Sequence, residues 1–238
     1  MRATEAFDPE SVQGVWLFDE GDGNEVLDSS GMEHHGTITA NDVKRVDGKF
    51  GDALEFFGGG KVVVPHADGF TTPTFTIMAW INAPTIPNDW GLLLVGKDGW
   101  PDRNYAMFVT QASGALHFAF CAPGQQDVGN MNSNQVIADG EWHHVAMTYD
   151  MEMRRIYIGG VLDTEAASNA EPSENTVDIE IGRGPVGLID EVLIANQAFS
   201  VADVGLAMEF GLKKFIGGTA VSASEKLTSA WGAIKTGN

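Results

Sequence analysis

The chain has 238 residues, with 14 basic and 33 acidic side chains and a formal net charge of −19. A negative field of this strength repels nucleic acid and anionic membrane surfaces, which argues against partners of either kind. The single cysteine excludes an intrachain disulfide, and no apolar run approaches the ~20 residues that a membrane-spanning helix needs. The length suits one large all-β domain with a full hydrophobic core.

The amino-terminal region begins with residues 1–10, which are polar and predicted to be loosely ordered. Residues 1–13 contain no apolar central region, so no signal peptide is expected in this chain. The first predicted strand is 15–18, in which apolar side chains alternate in direction. Turns rich in Asp, Gly, Asn and Ser follow at 19–24 and 28–31.

The middle of the chain consists of short runs in which apolar residues alternate with others, separated by turns that contain glycine. Alternation with a period of two indicates strands that pack one face against a core. The predicted strands are 51–57, 61–65, 74–82, 91–97, 104–110, 114–121, 142–149, 154–158, 161–163, 177–181 and 187–195. Many short strands with glycine-rich turns favour two packed antiparallel sheets.

The carboxyl-terminal region is predicted to be helical. Ser200 can cap a short helix that carries Asp203 in its first turn. The tail, residues 209–238, follows the last strands, and four of its apolar residues recur at helical spacing: Leu227, Ala230, Trp231 and Ile234. We expect this tail to pack on the sandwich or to dock on a partner, including a second copy of the chain, through Trp231.

Three segments carry a pattern that extends beyond alternation. They read VWLFDEGDGNEVLDSSGMEHHGTI, GEWHHVAMTYD followed by RRIYIGG, and GLIDEVLIANQAFS. Together they resemble the laminin G-like family of concanavalin A-type lectin domains, over roughly residues 11–208. The resemblance implies an all-β fold, a two-sheet antiparallel jelly-roll sandwich, to which this chain adds a short C-terminal helical tail.

The resemblance also implies a structural calcium ion. In the family its ligands come from the last core strand, the first strand and a nearby carbonyl. The matching positions are Asp190, Asp19 and a backbone carbonyl near Gly58 or Gly59. Calcium prefers hard oxygen ligands, and a buried carboxylate needs a partner of some kind. The alternative is that both aspartates only accept hydrogen bonds from turns.

A second pattern matches the catalytic motif of hydrolases with this fold. Glu20, Asp22 and Glu25 fit the spacing E-x-D-x-x-E. Catalysis needs two carboxyl groups about 5–5.5 Å apart on one face of a strand. Here the intervening residues are two glycines and an asparagine, which predict a turn. We therefore expect no enzymatic activity.

The candidate ligand site is the loop GKDGWPDRNY and its flanks. Aromatic faces stack on sugar rings, and charged or amide side chains bind hydroxyl groups. The predicted ligand residues are Trp90, Asp98, Trp100, Asn104 and Tyr105. The alternative is that the aromatic residues only close the edge of the sandwich.

These observations predict a non-catalytic recognition module that binds a glycan or an extracellular protein. The family resemblance implies an extracellular or cell-surface location. One alternative is a structural, self-assembling surface subunit that forms homo-oligomers through the tail. A glycoside hydrolase that uses Glu20, Asp22 and Glu25 is the third hypothesis.

Overall fold

The computed structural model describes residues 8–84, 92–110, 113–184 and 187–218. Trp90 and residues 219–238, about which the sequence makes predictions, lie outside the described residues. In the described part of the chain, the strands form two antiparallel sheets of eight strands each. The predicted all-β, two-sheet sandwich is confirmed.

Strand β7 (Phe75–Asn82) lies at the centre of the first sheet and pairs with a neighbouring strand on each side. Strands are numbered in chain order, and the sheet order is β14 (Val161–Ala167), β13 (Met153–Ile158), β12 (His143–Tyr149), β7 (Phe75–Asn82), β16 (Gly187–Ala195), β5 (Asp52–Phe56) and β4 (Val43–Asp47). An additional strand, β1 (Val12–Trp16), pairs with β16. The predicted strands 142–149 and 154–158 correspond to β12 and β13, which form an antiparallel pair.

The second sheet lies on the other side of the core. Its order is β11 (Met131–Val136), β10 (Ala115–Ala119), β9 (Tyr105–Val109), β8 (Leu92–Lys97), β15 (Ile179–Arg183), β6 (Val62–Val64), β3 (Gly36–Ile38) and β2 (Glu25–Val26). Short strands such as β2 and β3 escaped sequence prediction because two or three residues cannot display a period of two.

The main hydrophobic core fills the space between the sheets. Val145, Met147 and Tyr149 of β12 all contribute to it, and Tyr105 and Met107 do so from the second sheet. Because side chains alternate along a strand, the residues between these positions face away from the core. Each sheet therefore has an outer face, and the two outer faces differ in what covers them.

Two helices cover part of the outer face of the first sheet. Helix α1 (Val201–Phe210) is capped by Ser200, as predicted: the Ser200 hydroxyl accepts a hydrogen bond from the N–H of Asp203. Helix α2 (Leu212–Ile216) follows it. A second buried cluster joins the helices to the sheet and includes Met78, Leu193, Val204, Ala207 and Phe215. The boundary predicted at residue 208 thus falls inside α1.

Within the described ranges, no helix is both long enough and apolar enough to cross a bilayer.

Candidate functional site

The outer face of the second sheet carries a surface of aromatic and charged side chains. Tyr105 and Met107 of β9 point into the core, whereas Ala106 and Phe108 belong to a separate small cluster on the outer side. His117 of β10 lies opposite Phe108 in register, with ring centroids 6.2 Å apart. The alternation of β9 therefore defines which residues lie on the outer side of the sheet, where they form a small buried cluster beneath the loop.

The loop after β8 places two planar groups on this surface. Trp100 is 52% exposed, and the guanidinium carbon of Arg103 lies 5.3 Å from the centre of its ring. The same guanidinium carbon lies 5.1 Å from the ring of Phe108. Arg103 thus connects the exposed indole to the strand surface, in a geometry that allows cation–π attraction.

Asp98 fixes the position of Arg103. Its side chain is only 7% exposed and accepts hydrogen bonds from Arg103 Nε at 2.7 Å and from Arg183 at 2.5 Å. Arg183 also pairs with Glu180 at 2.8 Å, and Glu180 pairs with Lys61. The result is a continuous network of alternating charges across the loop, β15 and β6, in which each carboxylate is held between cations.

A buried lysine anchors the base of the loop. Lys97 is fully buried, and its amine donates to the carbonyl and to the Oδ1 of Asn175, the latter at 2.7 Å. Burial lowers the pKa of Lys97 to about 8, although the charge of Asp178 opposes this shift. Asn175 Nδ2 donates in turn to the carbonyl of Asp102 at 2.6 Å. Both ends of the Trp100 loop are therefore tied to the same asparagine.

Two of the predicted ligand residues lie in the interior. Tyr105 has no exposed surface, and its ring packs against Phe75 with centroids 5.2 Å apart. Asn104 is 1% exposed and donates from Nδ2 to the carbonyl of Ser173 at 2.8 Å. Neither side chain can reach a ligand on the surface, which corrects that part of the prediction. Asp98 and Trp100 remain, and Trp90 lies outside the described residues.

The sequence interpretation missed the strand residues that extend this surface. Phe108 lies under Arg103, and His117 forms a contact of 2.5 Å between Nδ1 and Asn132 Oδ1. Burial lowers the pKa of His117. The signal was present, because Phe108 and His117 occupy the outward positions of strands whose inward positions are all apolar.

The predicted metal residues Asp190 and Asp19 lie together, at the turn between β4 and β5. Asp190 is fully buried, and its Oδ2 accepts the N–H groups of Lys49 at 2.8 Å and Phe50 at 2.9 Å. The other oxygen of Asp190 is buried without a hydrogen-bond partner. Asp19 Oδ1 accepts the N–H of Asp52 at 2.9 Å. The turn thus brings two carboxylates from distant parts of the chain to one place.

The electrostatics of Asp190 favour either a proton or a cation. Burial raises the pKa of Asp190 to about 7, the hydrogen bonds from Phe50 and Lys49 oppose this shift, and the charge of Asp19 adds to it. A buried, unpartnered carboxylate oxygen is costly unless it is protonated, paired or bound to a metal. Calcium takes six to eight oxygen ligands, and carboxylate oxygens of this kind are among those it prefers.

Gly59 does not join this pair of aspartates. Along the β4–β5 hairpin, Asp47 pairs with Asp52 beside the turn, and Val43 pairs with Phe56 at the far end. Gly59 lies past that far end, where its N–H donates to Asp42. About four strand residues, roughly 13 Å, separate the two ends. The described residues contain no group of three or more His, Cys, Asp or Glu that can hold a metal ion.

Glu191, which the sequence analysis did not single out, is the next buried acid along β16. It has a positive φ of 53° and accepts the N–H of Leu212 at the start of α2. Burial raises the pKa of Glu191 to about 7, the Leu212 hydrogen bond lowers it, and the charge of Asp190 raises it. This carboxylate attaches α2 to the sheet. No local pattern identifies it, since its partner is distant in sequence.

The acidic residues of the hydrolase-like motif lie on a turn followed by a short strand. Gly21 and Gly23 both have positive φ, and β2 begins only at Glu25. Glu20 accepts the N–H of Leu27 at 2.6 Å and pairs with Arg45 at 2.7 Å. The three carboxyl groups therefore do not share one face of a strand, which is the arrangement that glycoside hydrolysis needs.

The fold is similar to those of several solved binding domains. The binding domain of Paraclostridial Mosquitocidal Protein 1 aligns with a TM-score of 0.69 at 15% identity, over 84% of this chain and 52% of that chain. The binding domain of botulinum neurotoxin DC, solved in complex with rat synaptotagmin II, aligns with a TM-score of 0.67 at 17% identity, over 84% and 51%. This chain thus spans about half the length of both structures.

A third similar structure matches over almost its whole length. It is domain 4 of AbnA, a GH43 extracellular arabinanase from Geobacillus stearothermophilus, in complex with arabinotriose. It aligns with a TM-score of 0.65 at 20% identity, over 84% of this chain and 98% of that chain. At these identities the similarity establishes the fold.

Sequence comparison gives two further results. A search of curated proteins finds no match. The profile of the concanavalin A-like lectin/glucanase superfamily (Laminin_G_3) matches residues 57–205, which is more than half of the chain. The protein therefore belongs to the concanavalin A-like lectin/glucanase superfamily.

Proposed function

We propose that this protein is a non-catalytic recognition module that binds a glycan on the outer face of its second sheet. The observation that carries the proposal is Trp100, whose ring is 52% exposed and is held against Arg103 beside a network of charged groups. An exposed indole next to fixed hydrogen-bonding groups is the arrangement that sugar rings require, because their apolar faces stack and their hydroxyls need polar partners.

The surface is pre-organised for such a ligand. Asp98 holds both Arg103 and Arg183, and Lys97 with Asn175 fixes the base of the loop. Groups that are already fixed lose little conformational entropy when a ligand binds. Arg183 remains 42% exposed, so it has free donor capacity for a hydroxyl or carboxylate group.

The similar structures support a binding function and suggest two kinds of partner. Domain 4 of AbnA was solved with arabinotriose, and the botulinum neurotoxin domain with a protein. We favour a glycan because the AbnA domain corresponds to this chain over nearly its full length. An extracellular or cell-surface location, as the family resemblance implies, is part of the proposal.

The proposal includes a structural calcium ion at Asp19 and Asp190. The unpartnered Oδ1 of Asp190 supports it, since that oxygen is free to coordinate a cation. Calcium there would neutralise two carboxylates and hold the β4–β5 turn against β16; it would contribute stability and no chemistry. Binding to the native state must raise the melting temperature, by an amount that corresponds to about 2.7 kcal/mol at a hundred times the dissociation constant.

Thermal melting with calcium and with a chelator tests the metal. We expect calcium to raise the melting temperature of the wild type and to leave that of Asp190→Asn unchanged. Glu55→Gln provides a control, because Glu55 is a partly exposed acid on the adjacent strand. A melting temperature that does not respond to calcium would remove the metal from the proposal without affecting the ligand surface.

A glycan array with calcium present tests the ligand surface. We expect binding to a defined subset of glycans, and loss of that binding in Trp100→Ala. Absence of binding to every glycan would contradict the glycan proposal and leave recognition of a protein partner. Release of a hydrolysis product from a bound glycan would contradict the proposal that the module is non-catalytic.

A further inference from the structure

The first sheet and helix α2 enclose a cleft that the proposed glycan surface does not involve. Its volume is about 560 Å³, within the range of about 300–1,000 Å³ typical of ligand sites. Apolar side chains from both termini of the described chain line it: Pro9, Val12, Leu17, Leu27 and Ile216. Leu27 is 42% exposed, so part of its apolar surface is available to an occupant of the cleft.

The wall formed by α2 is firmly attached. Leu212 and Phe215 are each 1% exposed and pack in the cluster on the first sheet, and Glu191 accepts the N–H of Leu212. The opposite wall is equally fixed, because the N–H of Ser29 donates to the carbonyl of Val15 at 2.7 Å. The cleft is therefore a stable feature of the fold that binding does not have to create.

The chain itself supplies an occupant. Ile216 and Gly217 line the cleft, and Gly218 has a positive φ of 83°, so the described chain ends at the rim in a conformation that permits a reversal. Residues 219–238 follow, with Leu227, Ala230, Trp231 and Ile234 at helical spacing. Leu227 is nine residues beyond Gly218, a tether of up to about 30 Å, which is long enough to return.

Charge does not oppose this occupant. The chain as a whole has a net charge of −19, whereas residues 219–238 contain one glutamate and two lysines. Of the charged residues at the cleft, Glu20 already pairs with Arg45 at 2.7 Å, and Asp19 and the exposed Lys213 have opposite charges. A tethered segment has an effective concentration in the millimolar range, so even weak complementarity suffices for docking.

We propose that residues 219–238 fold back into the cleft between β1 and α2, with the apolar face around Trp231 seated on Leu17, Leu27 and Ile216. This distal part of the tail, residues 219–238, then covers the apolar surface beside α2. A second copy of the chain, or a foreign partner, is not needed to cover it.

Disulfide trapping in the full-length chain tests this proposal. Ser29→Cys places a thiol on an exposed residue that lines the cleft, and Ala230→Cys places one beside Trp231. With the one native cysteine, the denatured double variant has three thiols when reduced. After mild oxidation of the folded protein we expect a monomer with one remaining thiol.

The control pairs Ala230→Cys with Gln126→Cys, an exposed position that does not line the cleft. We expect this pair to remain reduced in the monomer. Adding Trp231→Ala to the variant that carries Ser29→Cys and Ala230→Cys should reduce the yield of the intrachain cross-link several-fold, because the main apolar anchor is lost. Ser29 and Gln126 are exposed, and melting curves check that each variant folds.

Two outcomes would overturn the proposal. A cross-linked dimer, with no cross-linked monomer, would show that the cleft receives the tail of a second copy. Equal cross-linking of the cleft pair and the control pair, or none in either, would show that the tail has no preferred place on this surface.

Discussion

The outer faces of the two sheets are covered by different kinds of side chain. On the first sheet, Met78, Tyr157 and Leu193 point outward and are buried beneath the helices. On the second sheet, the outward residues include Phe108, which lies under the charged side chain of Arg103. One outer face is closed by the helices, and the other carries a small buried cluster beneath charged side chains, of which Arg183 is 42% exposed.

This difference separates stability from recognition. Helices α1 and α2 pack on the apolar outer face of the first sheet. The apolar area that they bury stabilises the folded state. The charged side chains near Trp100 form ion pairs with one another, and Trp100 itself is 52% exposed. A substitution under the helices should therefore affect folding, whereas a substitution at Trp100 should affect binding. The following predictions test that separation, from the largest effect on stability to the smallest.

The largest effect is expected for Phe215→Ala. The side chain is 1% exposed and lies 5.9 Å from the ring of Phe199, centroid to centroid. Truncation of a buried phenylalanine costs about 3–5 kcal/mol. We expect the free energy of unfolding, measured with urea, to fall by about that amount. Phe210→Ala is the matched control, since Phe210 is 36% exposed; an equal loss in both variants would mean that the helices do not cover the sheet as described.

A smaller loss is expected for Asp98→Asn. The carboxylate is 7% exposed and pairs with Arg103 and Arg183, so its neutralisation weakens two charge-assisted hydrogen bonds. Because Arg183 is 42% exposed and can recover hydration, we expect a cost of about 1–3 kcal/mol. Glu55→Gln removes the exposed pair with Lys44 and should cost under about 1 kcal/mol. Similar costs for the two variants would contradict a special role of Asp98.

A pH effect is expected from His144 on the outer face of the first sheet. The ring is 2% exposed, its Nδ1 has no hydrogen-bond partner, and burial lowers its pKa to about 3 from the ordinary 6.5. Between these two values the unfolded chain binds a proton that the folded chain does not. Stability is therefore lost as pH falls from about 6.5 towards 3, by at most about 1.4 kcal/mol per pH unit.

The measurement is the difference in unfolding free energy between wild type and His144→Leu across this pH range. Subtraction removes the titrations of other groups that both proteins share. The wild type should lose stability relative to the variant as the solution is acidified. His143→Gln is the control, because His143 is partly exposed and pairs with Asp139 at 2.9 Å. A difference that does not change with pH would contradict the assignment.

The sequence predicted the fold well because the relevant signals are local. Alternation in 74–82 and 142–149 and glycines at the turns identify the strands, and these strands pair as β7 and β12. The same alternation assigns Tyr105 to the core with Met107, yet its polar neighbours in the loop led to a ligand prediction. Residues near a loop thus need their strand direction assigned before their chemistry is interpreted.

Other features depend on contacts that no local pattern reveals. Asn175 reaches Lys97 across 78 residues, and Asp190 accepts the N–H of Lys49 across 141. These pairings depend on how the two sheets close around the core. The structure places Asp19 and Asp190, two of the predicted metal ligands, at one turn, whereas Gly59 lies beyond the other end of a hairpin whose register the sequence does not specify.

The smallest effect on stability and the largest effect on recognition are expected at Trp100. Phe57 is a matched control on the first sheet: it is 50% exposed with Lys44 5.2 Å from its ring, against 52% and 5.3 Å for Trp100 and Arg103. Each alanine variant should change the free energy of unfolding by about 0.5 kcal/mol or less.

The most direct test is calorimetric titration of the best glycan from the array into wild type, Trp100→Ala and Phe57→Ala. We expect Trp100→Ala to weaken binding at least about tenfold, or about 1.4 kcal/mol, and Phe57→Ala to bind as the wild type does. Unchanged affinity in Trp100→Ala, or an equal loss in both variants, would contradict the claim that the surface around Trp100 binds the glycan.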